Sequence, residues 1–148
     1  MVPMTPAAAL AALVAIVLVA TALGVLLRRR EGRARAVRAD AVAPTALGLA
    51  PGAFGERATL VQFSTELCAR CPAVRRLLSD VAGERDGVAH VDVDVTHRVE
   101  IARRFHVLQT PTTLVLDARG VPRARIAGAP TRDTVMAELD AIEGKTHA

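Results

Sequence analysis

The hydrophobic positions of this chain form two patterns, separated by a linker-like segment of about thirty residues. From Ala7 to Leu27 the chain is apolar and carries no charged side chain. From about Arg57 onward, short apolar runs alternate with polar turns. The first pattern is typical of a membrane-spanning helix, and the second of a domain in which strands and helices alternate.

The N-terminal run is long enough to cross a membrane. Its 21 residues would form a helix of about 31 Å, against a hydrocarbon core of roughly 30 Å. A cleaved signal peptide is the alternative, but it would have a basic segment before a shorter apolar core. No Lys or Arg precedes this run, and Arg28-Arg29-Arg30 follows it directly. We therefore expect a short N-terminal segment over residues 1–6 and an uncleaved single-pass anchor over Ala7–Leu27.

The basic residues next to the anchor predict its orientation. Residues 28–38 contain six Arg and one Glu, a local charge of +5, so the rest of the +4 chain sums to about −1. The positive-inside rule then places the C-terminal domain in the cytoplasm. A longer, basic N-terminus would reverse this and place the domain on the extracytoplasmic face. A domain near neutrality, in a chain without Trp or Tyr, does not favour nucleic-acid binding.

The remaining segments divide into a linker, a domain and a tail. Residues 28–56 are rich in Arg, Ala, Gly and Pro, and we expect a juxtamembrane linker there. The domain is expected over residues 57–144 and the tail over 145–148. Apolar periodicity predicts strands Thr59–Ser64, Val88–Val95, Thr112–Leu116 and Arg123–Ala127, and helices Pro72–Ala82, Arg98–Phe105 and Thr131–Ile142. The class is therefore α/β, in the order β-α-β-α-β-β-α.

The only cysteines, Cys68 and Cys71, lie between the first domain strand and the first domain helix. A Cys-x-x-Cys pair at this place is a redox signature, because unpaired N–H groups and the dipole at a helix start stabilise a thiolate. Inert core thiols and half of a zinc site are the alternatives. A zinc site normally needs four ligands, and the four histidines are not spaced as a ligand pair. We expect no metal.

Several segments resemble the thioredoxin superfamily at matching positions. They are the block Leu60–Cys71, the strand Val91-Asp92-Val93-Asp94, the tripeptide Thr110-Pro111-Thr112 and the end of the hairpin, Ile126-Ala127-Gly128. The likeness covers about ninety residues. With the anchor included, the chain resembles membrane-tethered thioredoxin-like proteins of bacteria. The resemblance implies a minimal thioredoxin fold with a mixed central sheet, in a bacterial cell membrane.

The resemblance also implies a mechanism. Cys68 would be the nucleophile, Cys71 would resolve the mixed disulfide, and the Cys68–Cys71 disulfide would be the redox group, with no other cofactor. Pro111 would be cis. The partners would be protein disulfides and an unidentified thiol reductant or oxidant. The substrate groove would consist of Leu67, Thr110, Pro111 and Gly128.

Three positions depart from the family pattern. Leu67 stands where thioredoxins usually have Trp, and Ala69-Arg70 stands where they usually have Gly-Pro. Gln62 replaces a buried acid that helps to deprotonate the second cysteine, and an amide does not act as a base. Proton transfer would then pass through water or Glu66.

Two classes of function remain open. The first is a membrane-tethered thiol-disulfide oxidoreductase, which would reduce disulfides in the cytoplasm or, with reversed topology, serve as a disulfide oxidase or a cytochrome-maturation reductase outside it. The second is a non-catalytic adaptor that binds a membrane partner. The intact cysteine pair favours the enzyme.

Arg70 is expected to shift the redox balance. A cation beside the Cys68 thiolate stabilises the reduced form, so the protein should be more oxidising than thioredoxin, whose potential is about −270 mV. Arg70→Ala should move the potential back toward that value in a titration against glutathione. A wild-type potential equal to that of thioredoxin would contradict the hypothesis.

Overall fold

A computed structural model describes residues 6–146 of the 148-residue chain. Contacts divide the chain into two compact units, residues 1–31 and 32–148. Residues 1–5 of the expected N-terminal segment and residues 147–148 of the expected tail lie outside the described residues.

The first unit contains one long helix, α1 (Pro6–Arg30). Its apolar side chains are exposed, and Arg28, Arg29 and Arg30 form its last turn. The only polar side chain in the apolar run, Thr21, donates its hydroxyl hydrogen to the carbonyl of Val17 at 2.7 Å. With a mean hydropathy of 2.9, α1 is long and apolar enough to cross a membrane. A signal sequence near an N-terminus meets the same criteria.

The second unit is built on a mixed five-stranded sheet in the order β1-β5-β4-β2-β3. Its strands are β1 (Ala34–Ala36), β2 (Ala58–Ser64), β3 (Val88–Asp94), β4 (Thr112–Asp117) and β5 (Pro122–Ala127). β2 pairs parallel with β3 and antiparallel with β4, and β5 pairs antiparallel with β4 and β1. The helices are α2 (Cys71–Gly83), α3 (Val99–Arg104) and α4 (Arg132–Thr146).

Two hydrophobic clusters cover the two faces of this sheet. Alternate side chains of a strand point to opposite faces, so Leu60 packs with α2 and α4, whereas Val61 and Phe63 pack with α3. Every residue of β2 is buried. This interior strand is therefore enclosed on both faces up to the point where it leads into the cysteine pair.

The predicted elements of the domain are present, with ends that differ by a few residues. Thr131 caps the start of α4, because its hydroxyl accepts a hydrogen bond from the backbone N–H of Thr134 at 3.3 Å. A tight turn joins β4 to β5, since the N–H of Gly120 donates to the carbonyl of Asp117 at 2.9 Å.

The segment expected to be a linker differs from that expectation. β1 pairs with β5, and a short 3-10 helix over Pro44–Leu47 places Leu47 in the cluster under α3 with no exposed surface. β1 has only three residues and attaches through backbone hydrogen bonds, so its side chains show no strand periodicity. The compact unit begins at residue 32, and the boundary expected at Arg57 marks only the approach to β2.

Leu47→Ala tests whether this segment belongs to the core. The substitution should lower the free energy of unfolding by about 2–5 kcal/mol, because it leaves a cavity among buried side chains. Leu108→Ala is the control, since Leu108 is 94% exposed and its truncation should change the value by less than about 0.5 kcal/mol. Guanidinium unfolding of the detergent-solubilised chain, followed by circular dichroism, measures both. Equal effects would mean that residues 44–47 do not stabilise the domain.

Candidate active site

The pairing of β2 with β4 brings two distant loops together. Phe63 near the end of β2 lies opposite Thr112 at the start of β4. The loop after β2 contains Cys68, and the loop before β4 contains Pro111. The two loops are therefore neighbours, although they are about forty residues apart in the chain.

The cysteines form a disulfide at the start of α2. Their Cα atoms are 5.4 Å apart. Cys71 is the first residue of the helix and is only 3% exposed, whereas Cys68 is half-buried in the preceding turn. Pro72 occupies the first turn of α2, where its missing N–H costs no helical hydrogen bond. A reagent from solvent thus reaches the Cys68 sulfur more easily than the Cys71 sulfur.

The loop before β4 contains a cis proline. The Thr110–Pro111 bond is cis, as expected, and Pro111 is buried. The Thr110 and Thr65 hydroxyls are 3.1 Å apart and share a hydrogen bond, which joins this loop to the cysteine loop. The N–H of Gly128 donates to the carbonyl of Pro111 at 2.9 Å, with Gly128 at a φ of 84°. Three of the four residues expected in the substrate groove therefore lie close together, namely Thr110, Pro111 and Gly128.

Gln62 lies directly behind Cys71. Its side chain has no exposed surface, and its amide nitrogen donates to the Cys71 carbonyl at 3.0 Å. Its side-chain oxygen lies 3.3 Å from Nε2 of His90. The position that is usually acidic in the family is thus occupied by a neutral, hydrogen-bonded amide.

The polar face of β3 lies against α2. Asp92 accepts a hydrogen bond from the Ser64 hydroxyl at 2.6 Å and forms an ion pair with Arg75 of α2. His90 contacts the Ser79 hydroxyl of α2 through Nδ1 at 2.9 Å. Burial lowers the pKa of His90 below its ordinary value of 6.5; Arg75 acts in the same direction and Asp92 opposes it. Burial thus favours the neutral form of the His90 ring.

The other residues singled out in the sequence lie on the exposed side of the cysteine loop. Leu67 is 96% exposed. Glu66 is exposed too, and its backbone N–H donates to the Thr96 hydroxyl at 2.9 Å. Arg70 is exposed and immediately precedes α2, at the N-cap position.

The sequence did not reveal three contributors to this region. Thr65 holds the two loops together, and Leu108, 94% exposed, comes three residues before Pro111. Ser79 fixes the ring of His90. Of these three residues, only Thr65 could have been identified from the sequence, because it lies between β2 and Cys68. Within residues 6–146, no group of three or more His, Cys, Asp or Glu side chains is placed to hold a metal ion.

A disulfide at a helix start, one sulfur accessible and one buried, beside a cis proline, is the site of a thiol-disulfide oxidoreductase. The comparisons with known proteins agree. The thioredoxin family model matches residues 53–141. The chain is 36% identical to a thioredoxin of Mycolicibacterium smegmatis over 83 residues, which are 54% of this chain and 73% of that protein. It is 32% identical over 84 residues to a bifunctional thioredoxin reductase/thioredoxin of Mycobacterium leprae, covering 56% of this chain and 18% of that protein.

Solved structures show the same fold. Thioredoxin f from spinach chloroplast aligns with a TM-score of 0.53 at 19% identity, over 60% of this chain and 79% of that one. A thioredoxin from Nicotiana alata aligns with a TM-score of 0.52 at 23% identity, over 58% and 73%. This chain belongs to the thioredoxin family, and its domain has the thioredoxin fold with one additional edge strand, β1.

Proposed function

We propose that the protein is a membrane-tethered thiol-disulfide oxidoreductase that acts on disulfides of other proteins. The main support is the unequal exposure of the two sulfurs at the start of α2, beside the cis proline. This arrangement suits an accessible nucleophile, Cys68, and a protected resolving thiol, Cys71. The substrate would lie along Leu67, Thr110, Pro111 and Gly128, and its backbone could approach closely at Gly128, which has no side chain.

The exchange takes place in two thiol-disulfide exchange steps. The Cys68 thiolate attacks one sulfur of the substrate disulfide, forms a mixed disulfide and releases a substrate thiolate, which takes a proton from solvent. Cys71 loses its proton and attacks the Cys68 sulfur. The Cys68–Cys71 disulfide forms, the second substrate thiolate leaves, and two electrons have passed to the substrate. A second dithiol, not identified by the sequence, would return the pair to its reduced form.

Insulin reduction with dithiothreitol tests the enzyme activity. The wild type should accelerate precipitation of the reduced insulin chains, and Cys68→Ser should lose this acceleration, because the attacking sulfur is gone. Cys71→Ser should accumulate a mixed disulfide on Cys68, which mass spectrometry detects after the reaction is quenched with acid.

The matched control for the trap is the double variant Cys68→Ser, Cys71→Ser, which should form no adduct. An inactive wild type, or a Cys68→Ser variant as active as the wild type, would contradict the proposal and favour the non-catalytic adaptor.

The side of the membrane determines the direction of the exchange. Six Arg after the apolar run favour a cytoplasmic domain, and the cytoplasm keeps thiols reduced. We therefore favour a reductase. On the extracytoplasmic face the same site would oxidise dithiols or reduce selected partners such as apocytochromes.

The topology is testable with an epitope tag fused after Ala148. In intact bacterial cells or spheroplasts the tag should resist added protease, and it should become sensitive once the membrane is permeabilised. The protein should stay in the membrane after alkaline extraction at its full mass, because α1 would be an uncleaved anchor. Digestion of the tag in intact spheroplasts would show that the domain lies on the extracytoplasmic face. Loss of the apolar segment from the mature chain would show that the segment is a cleaved signal peptide.

A further inference from the structure

A chain of hydrogen bonds runs behind the resolving cysteine and returns to the same helix. The Ser79 hydroxyl lies 2.9 Å from Nδ1 of His90, Nε2 of His90 lies 3.3 Å from the side-chain oxygen of Gln62, and the Gln62 amide nitrogen lies 3.0 Å from the Cys71 carbonyl oxygen. The chain thereby connects the middle of α2 to its first residue through β3 and β2.

Chemistry fixes the direction of each bond. The Cys71 carbonyl can only accept, so Gln62 must donate its N–H there and present its oxygen to His90. That oxygen can only accept, so Nε2 of His90 carries the proton. In the neutral ring Nδ1 is then an acceptor, and the Ser79 hydroxyl donates to it. One tautomer of His90 satisfies all three contacts.

We propose that His90 is a positioning residue for Cys71, and that the protonation of His90 is coupled to the oxidation state of the Cys68–Cys71 pair. The inference rests on the redox cycling of that pair, which belongs to the proposed function. The hydrogen bonds end at the carbonyl of Cys71 and not at its sulfur, and an amide does not pass a proton. His90 therefore acts through the placement of the first turn of α2 and through its charge.

The surroundings of His90 favour a neutral ring that can still titrate. Asp92 on its own strand favours the charged form and Arg75 of α2 disfavours it. Gln62 of β2 and Ser79 of α2 are the uncharged partners. Asp92 is itself paired with Arg75 and Ser64, so its negative charge does not act on His90 alone. Burial is the largest effect, and it lowers the pKa of His90 from its ordinary value.

Reduction should make His90 easier to protonate. Dithiothreitol supplies two electrons and two protons and closes into its own cyclic disulfide, and the neutral Cys68–Cys71 bond becomes two thiols. The Cys68 thiol then releases its proton to solvent as it ionises to the thiolate. A negative charge at this end of the network favours a positive His90. Coupling of this kind is reciprocal, so protonated His90 must favour the reduced pair by the same factor. As the pH falls through the His90 titration, reduction becomes more favourable than in a protein without this group.

Nuclear magnetic resonance of the histidine rings tests the coupling in the full chain in detergent micelles. In the oxidised protein His90 should titrate below pH 6.5 as the Nε2–H tautomer, and reduction by dithiothreitol should raise its proton affinity at least about threefold. His90→Gln assigns the signal. The signal of the exposed His97 is the internal reference in the same spectrum. An unchanged His90 titration, or the Nδ1–H tautomer, would overturn the proposal.

Ellman's reagent tests the positioning role. Cys68 attacks the reagent and releases one thionitrobenzoate, and Cys71 then attacks the Cys68 sulfur and releases the second. Stopped-flow absorbance follows the second release from pH 5 to 8. His90→Leu should slow it about threefold or more at pH 7.5, since the Gln62 oxygen loses its donor. His90→Gln keeps a neutral donor, so it should resolve at nearly the wild-type rate at pH 7.5 but lack the inflection below pH 6.5.

Two further variants make the result independent of whether His90→Leu folds. Ser79→Ala removes the hydroxyl that holds the His90 ring through Nδ1 and should also slow resolution. Thr113→Val is the matched control, because Thr113 lies opposite Gln62 on β4 and its buried hydroxyl has no hydrogen-bond partner among the described residues. It should leave the rate unchanged.

The outcomes separate this inference from the proposed function. Wild-type resolution in both His90→Leu and Ser79→Ala would refute the positioning role, and a wild-type inflection in His90→Gln would refute the coupling. Reduction by dithiothreitol and the reaction with Ellman's reagent need only the cysteine pair. A protein that completes both reactions but does not reduce insulin would refute the proposed protein substrates. It would not contradict the proposed role of His90.

Discussion

The antiparallel pairing of β2 with β4 is the constraint on which the active site depends. It places the end of β2 next to the start of β4, so the cysteine loop and the cis-proline loop must lie side by side. The hydroxyl contact between Thr65 and Thr110 and the bond from Gly128 to Pro111 then fix their separation. A change of one residue in this register would turn Gln62 to the opposite face of the sheet and remove it from Cys71.

Much of this arrangement could be predicted from the sequence. β2 is a continuous apolar run, α2 has apolar side chains at helical spacing, and β3 alternates valines with polar residues, so each has a strong local pattern. No periodic pattern predicts the cis bond at Pro111 or the place of Gly128 beside it. Both expectations came from the resemblance of Thr110-Pro111-Thr112 and Ile126-Ala127-Gly128 to one family.

The remaining features depend on long-range contacts. β1 is too short for a periodic signal and is held by backbone pairing with β5. Leu47 is buried because a 3-10 turn brings it under α3, and an isolated leucine among Ala and Gly gives no indication of this. The alternation of side chains along β3 puts His90 and Asp92 on the same face of that strand. The sequence could not show that α2 covers this face, because that depends on how the helix packs across the sheet.

The reactivities of the two sulfurs therefore depend on different surroundings. Cys68 is half-buried in a loop with the exposed cation Arg70 nearby in sequence, so solvent and surface charge act on the first attack. Cys71 is buried, and its carbonyl accepts a hydrogen bond from the neutral amide of Gln62, which in turn contacts His90. Surface charge is screened by salt and buried interactions are screened much less. Ionic strength should thus affect the formation of the mixed disulfide more than its resolution.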